Sequence, residues 1–311
     1  MIFPATLSYS PMKIAISGAS GLVASAVTPF LTDRGHEVWR LTRRSETSEP
    51  RTLIWDPGSR RIPSDQLEGF DAFLHLAGEN ISSGRWTAAK KSRIHNSRVE
   101  GTQFLAETLA GLRRRPTTLL SASAIGFYGN RGGAWLTEDS ATGDDFLTSV
   151  AREWEAATAP AEHAGIRIVH LRFGIILTPH GGALARLLPL FRLGLGGIAG
   201  NGRQFWSWVS IDDTCRVIDH LLATPSLRGP VNVVAPNPVT NQEFTKTLGR
   251  VLHRPTILPV PAFALRIALG EMANATVLSS ARVRPEKLLA SAYSFRHPEL
   301  EPALRHLLSR A

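Results

Sequence analysis

The chain has 311 residues, enough for one large core or for a core with a smaller second lobe. Hydrophobic residues make up 43% and charged residues 20%, and the net charge of +9 comes from arginines scattered along the whole chain. That scatter argues against a nucleic-acid surface, which needs a continuous basic face with interleaved aromatics. No apolar run reaches the roughly 18 residues that a membrane span requires, and the single cysteine, Cys215, excludes an internal disulfide and any multi-cysteine metal site.

Residues 1–12 lack the basic start and long apolar centre of a signal peptide, so they read as a disordered leader of a cytoplasmic protein. A short apolar strand follows at 13–17 and runs into Gly18-Ala-Ser20-Gly21-Leu22-Val-Ala24. Gly18 and Gly21 let the backbone approach a ligand without a Cβ in the way, and Ala24 lets the helix pack close to a sheet. The helix N-terminus then offers unpaired N–H groups and a positive dipole end to a pyrophosphate. A Gly-x-x-Gly-x-x-Ala string is weak by itself; its place between a strand and a helix points to a dinucleotide site.

Further strands are expected at 37–42, 52–55, 72–76, 117–121 and 167–172, with helices at 21–34, 85–112 and 145–164. This alternation predicts an α/β fold with a Rossmann-type, doubly wound parallel sheet over 13–177, completed by later segments near 205–235. Such sheets bind ligands beyond the carboxyl ends of their strands. The stretches that matter are therefore 42–44, Asp56, 77–80, Ser123 and 173–177. Glycine and proline become frequent after Leu177 and helices dominate the end, so 178–311 reads as a smaller, partly helical C-terminal substrate lobe closing over the cofactor.

The second strand ends in Leu41-Thr42-Arg43-Arg44 without the carboxylate that would hydrogen-bond the ribose 2′-hydroxyl of NAD. Guanidinium groups suit a 2′-phosphate, which favours NADP over NAD, unless both arginines simply face water. The histidines are scattered, with no pair at the i, i+4 spacing of a helical zinc site, so no metal is expected.

From here the chain resembles the extended short-chain dehydrogenase/reductase superfamily, and within it an atypical "NAD-dependent epimerase/dehydratase family" branch with its own C-terminal region. Some relatives in that branch carry cell-division-inhibitor-like labels. The resemblance runs from Lys13 to the C-terminus on motifs in order. These are His75-Leu76-Ala77-Gly78-Glu79-Asn80, Arg85-Trp86-Thr-x-x-x-Lys91-x-x-Ile94-x-x-Ser97-Arg98, Ser121-Ala-Ser123 through Tyr128-Gly129, Thr137-Glu138-Asp139, Leu171-Arg172-Phe-Gly174, and Asn201-Gly202-Arg203-Gln204 through Asp212-Asp213. It implies that Gly18, Ser20, Gly21, Leu22, Leu76, Ala77, Gly78 and Arg172 contact the cofactor, beside Arg43 and Arg44.

The superfamily's usual chemistry uses a Tyr-x-x-x-Lys pair on the helix after the serine turn. The resemblance puts Leu147 and Ala151 at those positions, and neither transfers a proton. Tyr9-x-x-x-Lys13 matches the string, but it precedes the first strand and contains proline. Substitutes are Ser123, which either hydrogen-bonds substrate or caps a turn; Tyr128, as an acid; and Glu79, either a base with a raised pKa or a sugar-hydroxyl and helix-capping ligand. Arg85, Lys91 and Arg98 either bind an anionic substrate or form a solvated face. Arg152 is one residue out of register with the lost lysine and points about 100° away.

Two functions fit. One is an NADP-dependent oxidoreductase or epimerase-like enzyme with a non-standard proton donor, acting on a polar hydroxylated or nucleotide-linked small molecule, conceivably as a homodimer. The other is a non-catalytic NADP(H)-binding sensor or scaffold.

Overall fold

The structure, a computed structural model, describes residues 10–43 and 50–309. Most of the expected leader and Arg44 therefore lie outside the described residues. The first half alternates as the apolar runs predict: β1 (Lys13–Ser17), α1 (Leu22–Asp33), β2 (Glu37–Thr42), β3 (Thr52–Ile54), β4 (Ala72–His75), α2 (Ala88–Ala110) and β5 (Thr118–Ala124). Next come the short β6 (Trp135–Leu136), α3 (Phe146–Ala156), α4 (Ala159–His163), β7 (Arg167–Phe173) and β8 (Ile175–Leu177). The chain continues through α5 (Gly182–Arg192), β9 (Phe205–Trp206), β10 (Trp208–Ser210), α6 (Ile211–Ala223) and β11 (Gly229–Val233). It ends with β12 (Val239–Thr240), α7 (Asn241–Leu252), α8 (Ala262–Leu269), α9 (Glu271–Ala275), β13 (Arg282–Val283), α10 (Glu286–Ala290) and α11 (Leu300–Leu308).

Seven strands form one parallel sheet in the order β11-β7-β5-β4-β1-β2-β3. The order reverses between β1 and β4, the switch point at which doubly wound sheets hold their ligands. All four residues of β4 are buried, as in a strand covered by helices on both faces. One face packs Ile14, Ile16 and Leu74 with α1 and α6; the other packs Phe73, Leu105 and Leu109 of α2. Cys215 belongs to the first core, where burial pushes its thiol up to about 12.

Three boundaries differ from expectation for local reasons. The helix expected over 145–164 is two helices, because Pro160 has no N–H to give the carbonyl of Ala156. Helix α2 starts late because the Thr87 side chain accepts the Lys90 N–H at 3.2 Å and caps it. Strand β5 continues to Ala124, pairing Ser123 with Arg172 of β7, so Ser123 is a strand residue rather than part of the turn.

The C-terminal part has its own core around Trp206, Trp208, Phe244, Leu248 and Leu304. It is fastened to the sheet domain through Asp213, fully buried in the first turn of α6. Its carboxylate accepts the N–H groups of Arg296 at 2.8 Å and His297 at 2.9 Å, and the Ser210 hydroxyl at 3.0 Å.

His75 ends β4 beside the switch point with no exposed surface; Nδ1 lies 2.6 Å from the Ser17 hydroxyl and Nε2 3.0 Å from that of Thr102. Burial lowers its pKa to about 4 from 6.5. The unfolded chain takes up a proton below pH 6.5 that the folded state refuses, so stability falls between pH 6.5 and 4 and this contribution then levels off. That is about 3 kcal/mol. The stability difference between wild type and His75→Asn, from urea unfolding, should shrink by about that amount over this pH range.

Candidate functional site

At the carboxyl end of β1 the chain turns at Gly18, whose φ of +71° suits glycine. A Cβ there would lie 2.8 Å from backbone atoms of Leu76 and Ala77, so the turn sits directly on the end of β4. The Gly21 N–H returns to the Gly18 carbonyl at 2.8 Å, and Gly21 then caps α1 without any side-chain hydrogen bond. Ser20 and Gly21 are exposed, leaving the first N–H groups of a twelve-residue helix open to an anion. Gly78 continues the floor: a Cβ there would approach the Arg98 guanidinium at 3.3 Å.

A cavity of about 290 Å³ extends from this turn along the strand ends. Gly21 and Leu22 form one side, Leu76, Ser123 and Phe173 the strand side, and Leu147, Ala151 and Trp154 of α3 the far wall. The α3 residues lie at i, i+4 and i+7, one helical stripe. The two positions that the resemblance assigns to tyrosine and lysine thus face the cavity as apolar side chains. Arg152 is exposed and not among the lining residues.

The polar groups divide into three sets. Ser123, 2% exposed, lines the cavity and donates to Glu155 Oε1 at 2.6 Å. Glu155 is gripped by Arg172 through Nε and Nη2, both at 2.8 Å. Burial alone would raise the Glu155 carboxyl, but the Arg172 hydrogen bonds and the charges of His170 and Arg172 outweigh it and hold it low. Arg172 also donates to the Tyr128 hydroxyl at 3.0 Å, which donates to Asn232 Oδ1 at 2.7 Å. Tyr128 has no exposed surface, burial raises its pKa, and neither it nor Arg172 lines the cavity.

Glu79 forms the second set. It accepts Lys90 Nζ at 2.6 Å, and that hydrogen bond holds its carboxyl below the usual range despite partial burial. The expectation of a base with a raised pKa is therefore reversed: with a buried ammonium as partner, Glu79 stays ionised, and it does not line the cavity. Arg43, exposed at the end of β2, is close enough for its charge to contribute to that lowering.

The third set is Arg98. Its Nη1 donates to the carbonyls of Glu79 at 3.0 Å and Ile94 at 3.2 Å, its guanidinium lies over Trp154, and it lines the cavity. Burial lowers its pKa to about 10, so it remains charged at neutral pH. No carboxylate pairs with it among the described residues. Of the three cations expected on this helix only Arg98 turns to the cavity: Arg85 bonds the Ile267 carbonyl and Lys91 pairs with Glu271 at 2.5 Å. Sequence reasoning named Arg172 as a cofactor contact but did not pair it with Glu155, and it did not single out Trp154, for which the i, i+4, i+7 stripe was the available signal.

A glycine turn against the switch point, an uncapped helix and a cavity beyond the strand ends define a dinucleotide-binding doubly wound fold. The "NAD dependent epimerase/dehydratase family" model matches residues 14–234, and a "domain of unknown function (DUF1731)" model matches residues 260–307. Epimerase family protein Mb2239 of Mycobacterium bovis is 39% identical over 96% of this chain and 98% of its own length. The crystal structure of human epimerase family protein SDR39U1 (isoform 2) with NADPH superposes with a TM-score of 0.88 at 32% identity, covering 96% of this chain and 100% of that one. A nucleoside-diphosphate sugar epimerase from Corynebacterium glutamicum gives 0.80 at 39% identity, covering 97% of this chain and 59% of that one. The chain belongs to the NAD-dependent epimerase/dehydratase family, within the extended short-chain dehydrogenases/reductases. Among the described residues no helix is long and apolar enough to cross a membrane.

Gly21 has ordinary extended backbone angles, and a Cβ there would stand 3.0 Å from the Gly18 carbonyl oxygen, so a side chain crowds the turn without forcing a left-handed conformation. Gly21→Val should leave the circular dichroism spectrum intact and weaken NADPH and NADH alike by about 10²-fold or more in calorimetric titration. Unchanged affinity would move the phosphate site elsewhere.

Proposed function

We propose that the protein is an NADP-dependent oxidoreductase or epimerase-like enzyme in which Arg98 and Ser123 together replace the missing tyrosine and lysine. One observation carries this reading: the cavity wall that should hold the pair is apolar, while a half-buried cation hydrogen-bonded to backbone carbonyls and a hydroxyl line the same cavity. The human relative solved with NADPH, and the guanidinium of Arg43 at the end of β2, support NADP over NAD. The relative titled as a nucleoside-diphosphate sugar epimerase supports a nucleotide-linked, hydroxylated substrate.

When bound, the nicotinamide supplies or accepts the hydride. Ser123, with its proton committed to Glu155, offers oxygen lone pairs to a substrate hydroxyl and fixes its position. Arg98 donates N–H bonds to the substrate oxygen and stabilises the negative charge that grows there as hydride reaches the carbon. The guanidinium stays charged throughout, and the proton taken up by that oxygen comes from water. The apolar walls exclude water and strengthen the Arg98 charge.

The test is NADPH oxidation against a panel of nucleotide-linked keto-sugars and small carbonyl compounds. Turnover is expected in the wild type, with kcat lower by about 10²-fold in Arg98→Met and by about 10-fold in Ser123→Ala. The Leu147 and Ala151 side chains favour a second reading, a cofactor-binding sensor; tight NADPH binding without turnover on any substrate would carry it.

Arg43→Ala separates the cofactors. It should weaken NADPH by about 1–3 kcal/mol, the scale of a charge-assisted hydrogen bond, and leave NADH nearly unchanged. Equal losses would remove Arg43 from the 2′-phosphate.

A further inference from the structure

Away from the cavity, three potential ligand side chains converge from three separate parts of the chain. Asp212 stands in the first turn of α6, His297 in the segment before α11, and His306 on α11. Asp212 Oδ2 lies 2.7 Å from His306 Nε2 and 3.7 Å from His297 Nε2, and the three donor atoms all fall within 4.8 Å of one another. The two imidazole rings face each other with centroids 4.5 Å apart.

The second observation is independent of this clustering. His297 is only 8% exposed, and its Nε2 is buried without a hydrogen-bond partner among the described residues. A buried ring nitrogen left unsatisfied is costly and calls for an explanation. Nor is it a side chain adrift: the His297 N–H is clamped by the Asp213 carboxylate at 2.9 Å, adjacent to Asp212, which fixes the backbone that carries the ring.

We propose that Asp212, His297 and His306 bind one divalent first-row transition-metal ion, of which Zn²⁺ is the best fit, through one carboxylate oxygen and two imidazole nitrogens. Tetrahedral ligands on zinc stand about 3.3 Å apart, so the 3.7 Å separation already suits an ion, and the 2.7 Å contact opens slightly as its hydrogen bond is replaced. Water completes the coordination on the side of the two partly exposed ligands. Asp212 falls in the epimerase match and both histidines in the C-terminal match, so the ion would staple the second segment onto the first. None of the three lines the cavity, so the ion acts on the attachment of the two segments rather than on the cavity's chemistry.

The experiment is Zn²⁺ titration of the full chain after chelator treatment, read by calorimetry, metal content after dialysis and thermal midpoint. Asp212→Asn and His306→Ala serve as variants because both side chains are partly exposed and their loss leaves the Asp213 clamp in place. One equivalent bound, a thermal midpoint that rises with Zn²⁺, and an affinity lower by about 10²-fold or more in either folded variant would establish the site. Absence of stoichiometric uptake by the wild type, or equal affinity in wild type and both variants, would overturn it.

Discussion

The buried pair between Glu155 and Arg172 is the contact on which the geometry of the site depends. Helix α3 forms the far wall of the cavity, and that pair fixes it against β7, with side-chain exposures of 11% and 4%. Removing one partner of such a pair strands a buried charge and costs about 3–5 kcal/mol, far more than an exposed ion pair contributes. The same two residues orient Ser123 on one side and Tyr128 on the other. Position and protonation are therefore set together: the arginine that holds the helix also keeps the glutamate ionised and hence an acceptor for Ser123.

This dependence explains which parts of the molecule were legible in the sequence. Strands and helices announce themselves locally, and apolar runs such as 13–17 and 72–75 located the sheet, as the glycine turn located its switch point. Pro160 and Thr87 show the limits of periodicity, since each moves a helix boundary through one backbone hydrogen bond. The networks were not legible, because their members are far apart in sequence: Ser123 meets Glu155, Tyr128 meets Asn232, and Asp212 meets His306. Glu79 shows the consequence. A carboxylate after a buried strand reads as a base until its neighbour is known, and that neighbour, Lys90, reverses the direction of the shift.

The loss of the tyrosine and lysine is more than a deletion of two groups. Leu147 and Ala151 make α3's face continuous with Val150 and Trp154, so the wall becomes apolar and the cavity drier. A charge inside such a wall is worth more than the same charge in water. Arg98 enters from the adjoining helix α2, with backbone carbonyls as its acceptors. Carbonyls orient the guanidinium without neutralising it, whereas a carboxylate partner would have quenched the field that the site can use. Trp154 both covers this cation and lines the cavity, linking the apolar wall to the charge it amplifies.

The C-terminal segment is attached differently at its two ends. Near α11 it is held by a buried carboxylate that accepts two backbone N–H groups, with His306 on Asp212 beside it. Near α8 and α9 it meets α2 through an apolar cluster of Met272 with Trp86 and Ile94, and through Arg85 on the Ile267 carbonyl and Lys91 on Glu271. No residue of α8 is buried, and Phe263 and Ile267 are 64% and 68% exposed. With no buried side chain, α8 belongs to the low-stability end of the structure, while α9 and α11 are anchored. Lys91 and Arg98 lie on the same helix, two turns apart. Lys91, which meets the C-terminal segment, and Arg98, which lines the cavity, thus tie both to one helix.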